Sequence, residues 1–237
     1  MLYTLRHINK MLSKSEIITL LLNFFELSAA ATGFFFWRKI KGTAWALFPL
    51  FLLIIFITEI LAKFMRLEGW HRELITPLYK FVNIPLTVFC IIYFLSRQLR
   101  KPYNSILLLL SMIAFTAVLL SEIFIFSGND FSLGSPSYII GCVLMLVAAL
   151  ISFYNLLYGD RIMNYKSRLD FWVSVGVLCY YIPSLPFNAI RNKLLVSHYS
   201  TGIKIWYITM GFDCLMYACF IIGFILFDRN KFLEHDQ

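Results

Sequence analysis

The sequence predicts an all-α fold, a polytopic transmembrane helical bundle of seven spans. Three observations predict it. Of the 237 residues, 60% are hydrophobic and only 14% are charged, with a mean hydropathy of +0.75. Soluble domains carry about a quarter charged residues, so lipid must solvate much of this surface. Apolar runs of span length recur along the whole chain, joined by short polar or Gly-containing links such as Ser127-Gly128-Asn129-Asp130. Finally, Lys and Arg gather at the ends of those runs, as in Arg38, Lys39 and Lys41, or Arg97, Arg100 and Lys101. Orientation and headgroup contact place basic residues there.

The first run, 16–36, follows Arg6, Lys10 and Lys14 and contains Ala29-Ala30-Ala31, a pattern that imitates a cleavable signal peptide. Asn23 and Glu26 interrupt its hydrophobic region, and the run continues through Phe34-Phe35-Phe36, so it is read as a retained span. Residues 1–15 then form a short extracytoplasmic segment. The second span is 43–62, the third 76–96 and the fourth 105–126. The fifth is 137–158, the sixth 169–189 and the seventh 203–227, with 228–237 a charged cytoplasmic tail. The membrane domain is therefore 16–227.

The link between the fourth and fifth spans has no Lys or Arg, whereas the first and third links each carry three and no acid. Short loops dominate the positive-inside rule. The N-terminus is accordingly expected outside and the C-terminus in the cytoplasm, in a bacterial inner membrane. The net charge of +8 is spent on these clusters, not on a basic face, and no nucleic-acid-binding fold is visible. All five cysteines fall within apolar runs without a CxxC pair, and read as small packing residues. The four histidines lie outside the spans and lack metal-binding spacing.

Read at helical spacing, each span shows a polar or small face opposite a lipid-facing one. The first gives Thr19, Asn23, Glu26, Ala30 and Gly33, and the second Glu59. The third gives Thr76, Lys80, Asn83, Thr87 and Cys90, and the fourth Ser111 and Glu122. The fifth gives Gly141, Ala148, Ser152 and Asn155. The sixth gives Asp170, Ser174, Tyr181, Ser184, Asn188 and Arg191, and the seventh Trp206, Thr209, Asp213 and Tyr217. Small and hydroxyl residues such as Ala148, Ser152, Gly33 and Ser111 serve helix packing.

Ionisable groups are different. A charge at mid-span costs at least about 2.5 kcal/mol, so it requires a partner, a proton or water. In the expected orientation these groups concentrate in the outer leaflet. They predict an outward-facing polar cavity formed by Glu26, Glu59, Lys80, Asn83, Glu122, Tyr181, Asn188, Asp213 and Tyr217. The competing arrangement is local, with Glu59 paired to Lys63 at i,i+4 and Glu122 at the membrane surface. Pro49, Pro85, Pro183 and Pro186 remove backbone hydrogen bonds within spans. The run Tyr180-Tyr181-Ile182-Pro183-Ser184-Leu185-Pro186 is the candidate moving part.

Seven spans suggest microbial rhodopsins, but no Lys lies in the middle of any span, so retinal is not expected, nor any other cofactor. Seven-span sugar transporters with a Pro-Gln motif also fit poorly, since no such pair occurs. Glu26 before Trp37-Arg38-Lys39, then Thr58-Glu59, then Phe171-Trp172 followed by Tyr180-Tyr181, resembles small seven-span bacterial membrane proteins that look like sensor modules without an output domain. That resemblance touches most of the chain and implies kinship of fold, with no named ligand. It fits a receptor-like or sensory protein that signals through a protein partner at its cytoplasmic links. A small-solute or proton-coupled transporter, with Glu26 and Asp213 as protonation sites, is the alternative, and a structural subunit of a membrane complex a further one. No catalytic set is visible, so an enzyme is not expected.

Overall fold

A computed structural model gives the fold, and describes residues 2–67, 75, 78–97, 103–125, 136–158, 165–197 and 199–228. Helix α1 is Leu2–Phe35, and a short α2, Trp37–Ile40, follows. A 3-10 turn, Ala44–Leu47, leads into α3, Phe48–Leu67. A π turn, Tyr79–Asn83, opens α4, Ile84–Ser96. Then come α5, Tyr103–Ile125, and α6, Pro136–Tyr158. The long pair α7, Leu169–Ser197, and α8, Tyr199–Leu226, completes the order. No strand occurs among the described residues. The backbone of 2–15, expected as a separate segment, continues α1 as one helix. The link 127–130, Thr76 and the tail after 228 lie outside the described residues.

Six helices are long and apolar enough to cross a membrane: Glu16–Phe35, Ala44–Arg66, Tyr79–Ser96, Pro136–Leu156, Leu169–Asn188 and Ser200–Leu226. Helix α5 carries a shorter apolar stretch, Ile106–Glu122. The outward faces suit lipid, since Ile17, Leu20, Phe24, Leu109, Ile113 and Phe124 are all exposed. This is an integral membrane bundle.

Helices α1, α3, α4, α6, α7 and α8 close into a ring in the order α3–α1–α8–α7–α6–α4, and α5 packs outside it against α6 and α4. The α7–α8 contact is the most extensive and the α3–α4 seam the thinnest part of the wall. Without a hydrophobic force between helices in lipid, close backbone approach at small residues sets which pairs pack best. A Cβ on Gly176 would stand 3.0 Å from the Met216 carbonyl oxygen, and one on Gly223 would meet the Leu169 side chain at 2.8 Å, so both glycines seat α7 on α8. Gly33 does the same between α1 and α3, where a Cβ would stand 2.7 Å from Pro49 Cγ.

One end of the ring is filled by aromatic rings. Trp45 stacks on Phe94 at 5.4 Å, and Phe48 meets Phe94 edge-on at 5.1 Å and Phe220 at 5.3 Å. Trp45, Phe48, Phe94, Phe220 and Phe224 are all buried. At this same end Arg168, just before α7, makes a two-pronged ion pair with Asp170 in its first turn. Nε lies 3.1 Å from Oδ1 and Nη2 3.1 Å from Oδ2. The Asp228 amide donates to the Ser167 carbonyl at 3.2 Å, tying the end of α8 to the start of α7.

One of the expected proline breaks is not a break: Pro49 is the second residue of α3, where the missing N–H has no helical acceptor to lose. Pro85 does interrupt the α pattern, since it lies inside the span Tyr79–Ser96, directly after the π turn. Helix α7 continues through Pro183 and Pro186.

Candidate ligand cavity

A cavity of about 780 Å³ occupies the ring beyond the aromatic plug. Its floor includes Phe51, Leu52 and Phe220, and it extends toward the end of the bundle that carries Lys63, Arg66 and Asn188. Small-molecule sites fall in the range of about 300–1,000 Å³, with mostly apolar walls and a few placed polar groups. This one receives side chains from all six helices of the ring.

Glu59 on α3 is the best-held acid. Tyr79 Oη donates to its Oε2 at 2.7 Å, and Asn83 Nδ2 donates to Oε1 at 3.1 Å. Thr87 Oγ1 donates in turn to the Asn83 carbonyl oxygen at 2.8 Å and lies 3.3 Å from Oδ1. The π turn makes this possible. Pro85 offers no N–H to the Phe81 carbonyl, and the Ile84 amide instead bonds to the Tyr79 carbonyl, five residues back. The widened turn presents Tyr79 and Asn83 together toward α3. These bonds therefore clasp the thin α3–α4 seam at the cavity end, as the Trp45–Phe94 stack clasps it at the other. The alternative local pair does not form: no ion pair joins Glu59 to Lys63 among the described residues.

Glu26 sits at mid-span on α1 and is only 3% exposed. The Tyr217 hydroxyl reaches its carboxyl from α8, while its Oε2 is buried with no hydrogen-bond partner among the described residues. Asp213, one helical turn before Tyr217, faces the same space. On the opposite wall Asn188 Nδ2 donates to the Tyr138 hydroxyl at 3.3 Å, bridging α7 and α6. Tyr180 and Tyr181 sit edge to face at 4.7 Å, and Trp206 adds a further ring.

Of the nine residues expected there, Glu26, Glu59, Asn83, Tyr181, Asn188, Asp213 and Tyr217 line the cavity. Lys80 and Glu122 do not. They pair with each other, Nζ to Oε1 at 3.1 Å, with side-chain exposures of 13% and 5%. Glu122 Oε2 also accepts the Ser137 amide at 3.1 Å. The reason is again the π turn: it rotates Lys80 away from the Asn83 face toward α5. Asn155, assigned to the inward stripe, is instead exposed and folds its amide back onto the Ile151 carbonyl at 2.8 Å.

Sequence reasoning missed Tyr138, Met145 and Arg66 as lining residues. The first two were recoverable, because Tyr138, Gly141, Met145 and Ala148 repeat at helical spacing and extend the fifth-span stripe by one turn. Set against known protein families, curated proteins and solved structures, the chain shows no match. The cavity alone must carry the functional reading.

Proposed function

We propose that this protein is a receptor-like membrane protein that binds a small molecule in its outward-facing cavity. In this reading α5 is also a span, the fourth in chain order and the one that brings the total to seven, the N-terminus is outside and the C-terminus is in the cytoplasm of a bacterial cell. The carrying observation is the asymmetry of the ring, polar and hollow at one end and packed with aromatic rings at the other. Such a space holds a ligand without conducting it. The seven-span topology is supported by chain direction. The π turn that leads into α4 lies at the cavity end with Tyr79 and α4 finishes at the plug end, yet α6 starts again at the cavity end, with Tyr138 in its first turn. Helix α5 makes the return, and its Glu122 lies beside Lys80 and Ser137 at the cavity end.

Signal would pass along α7 and α8. Both line the cavity, Gly176 and Gly223 seat them together toward the plug end, and the Asp228–Ser167 bond joins them there, at what this reading makes the cytoplasmic face. A protein partner at that face would receive the movement. A transporter is the second reading, favoured by Glu26 and Asp213 facing one space, but it needs the plug to part.

Cysteine accessibility separates these readings. With the five native cysteines replaced, Arg66→Cys and Asn23→Cys should react in intact cells with a membrane-impermeant maleimide. Lys39→Cys, exposed at the plug end, should react only after permeabilisation. Reaction of Asn23→Cys from both faces supports the transporter instead. Protection of Asn23→Cys from both faces would show that the cavity is not wet.

A further inference from the structure

Three carboxyl groups, Glu26, Glu59 and Asp213, open into the cavity, against the two basic groups Lys63 and Arg66. They are not equivalent. Glu59 already receives two hydrogen bonds, and Arg66 lies two turns further along the same helix toward the cavity end. Glu26 and Asp213 lie deeper, near mid-span, and the basic residues that share their cavity are Lys63 and Arg66 at its far end. Glu26 Oε2 is buried with no hydrogen-bond partner among the described residues, on a residue only 3% exposed. A carboxyl group held in that way must take a proton or receive a cation, and the cavity gives a cation access to it. The walls around this deep end are aromatic: Tyr180, Tyr181 and Tyr217, with Trp206 above. Ring faces attract cations within about 6 Å.

We infer that the deep end of this cavity is a seat for an organic cation, an amine or ammonium group carrying an apolar body. The inference rests on the ligand-binding reading above and names its ligand class. The ammonium would sit between Glu26 and Asp213, and the apolar body would lie against the tyrosine rings and the floor at Phe220. Among the described residues no three His, Cys, Asp or Glu side chains gather closely enough to hold a metal ion. A cavity of about 780 Å³ accommodates a far larger body than an inorganic ion. Lys63 and Arg66 at the cavity end disfavour a second cationic group there, so a monocation is the fitting class.

The test uses the purified full chain in lipid nanodiscs, with 2-phenylethylamine as probe and 2-phenylethanol and sodium chloride as controls. The amine should bind saturably by calorimetry and raise the thermal midpoint by mass action. The neutral alcohol and the salt at equal ionic strength should do neither. Glu26→Gln and Asp213→Asn, both close in shape to the native residues, should each weaken amine binding about tenfold or more. Glu59→Gln, whose acid is already bonded, should weaken it less. Equal binding of amine and alcohol, or amine binding unchanged in both variants, overturns the cationic class while leaving a ligand cavity standing. Absence of saturable amine binding by the wild-type protein overturns the cation seat, and protection of Asn23→Cys in the labelling experiment overturns the cavity reading separately.

Discussion

Removing the Tyr79 hydroxyl isolates the clasp on the α3–α4 seam. The Tyr79–Glu59 bond is short, 2.7 Å, and its acceptor is a carboxylate. Interhelical hydrogen bonds in membrane proteins average about 0.6 kcal/mol, with a ceiling near 1.7. Charge-assisted bonds run roughly twice as strong as neutral ones. The expected coupling is therefore about 1 kcal/mol, roughly a fivefold shift in an equilibrium constant. Glu59→Leu is the proper partner variant, because it removes both acceptor oxygens, whereas a Gln carbonyl could still accept from Tyr79. A double-mutant cycle of Tyr79→Phe and Glu59→Leu, read by reversible unfolding in mixed micelles, measures the coupling. A coupling below about 0.3 kcal/mol would refute a clasp at this seam.

Two further perturbations test the packing. Lys80→Met strands the Glu122 carboxylate, 5% exposed, and should cost about 3 kcal/mol, most of it recovered when Glu122→Leu is added. Unfolding midpoints of the single and double variants check this, and a single variant as stable as wild type would contradict it. Gly33→Leu forces a side chain into Pro49 and Phe224 and should destabilise by about 1–3 kcal/mol, whereas Gly211→Leu, with nothing within 4 Å, should be near neutral. Equal thermal midpoints for the two variants would show that α1 does not approach α3 and α8 as described.

The bundle was legible in the sequence because hydropathy over twenty residues needs no knowledge of neighbours. Thr19, Asn23 and Glu26 fell on the correct face for the same reason: α1 is regular there, so spacing of three and four holds. Lys80 was misassigned because the helix between Tyr79 and Asn83 is not α, and a wider turn takes Lys80 off the face it would share with Asn83 at α spacing. Pro85 was read as a break within a span and is one: it lies inside Tyr79–Ser96, and the widened turn is its consequence. Glu122 was placed by depth, and depth does not say which neighbour a side chain meets. Its partner depends on α5 lying outside the ring, a matter of tertiary order that periodicity does not encode. Asn155 shows the same limit from the other side, since a polar residue on lipid can bond to its own helix instead of facing inward.

The cavity itself follows from how side-chain bulk is distributed along the helices. At the plug end Gly33 and Gly223 draw α1 onto α3 and α7 onto α8, and five large rings fill the centre that remains. Toward the other end the lining residues are long and carry polar tips, among them Tyr79, Tyr138, Tyr180 and Trp206. A tyrosine whose hydroxyl bonds to a neighbouring helix spans the gap without filling it, as Tyr79 does toward Glu59 and Tyr138 toward Asn188. A phenylalanine at the same position would have no reason to stay extended and would collapse inward. The hollow is therefore maintained by hydrogen bonds at its rim and by ring packing at its base. Glu26 lies between these two zones, beyond the reach of the rim network and above the rings. That position leaves one of its oxygens available to whatever enters the cavity.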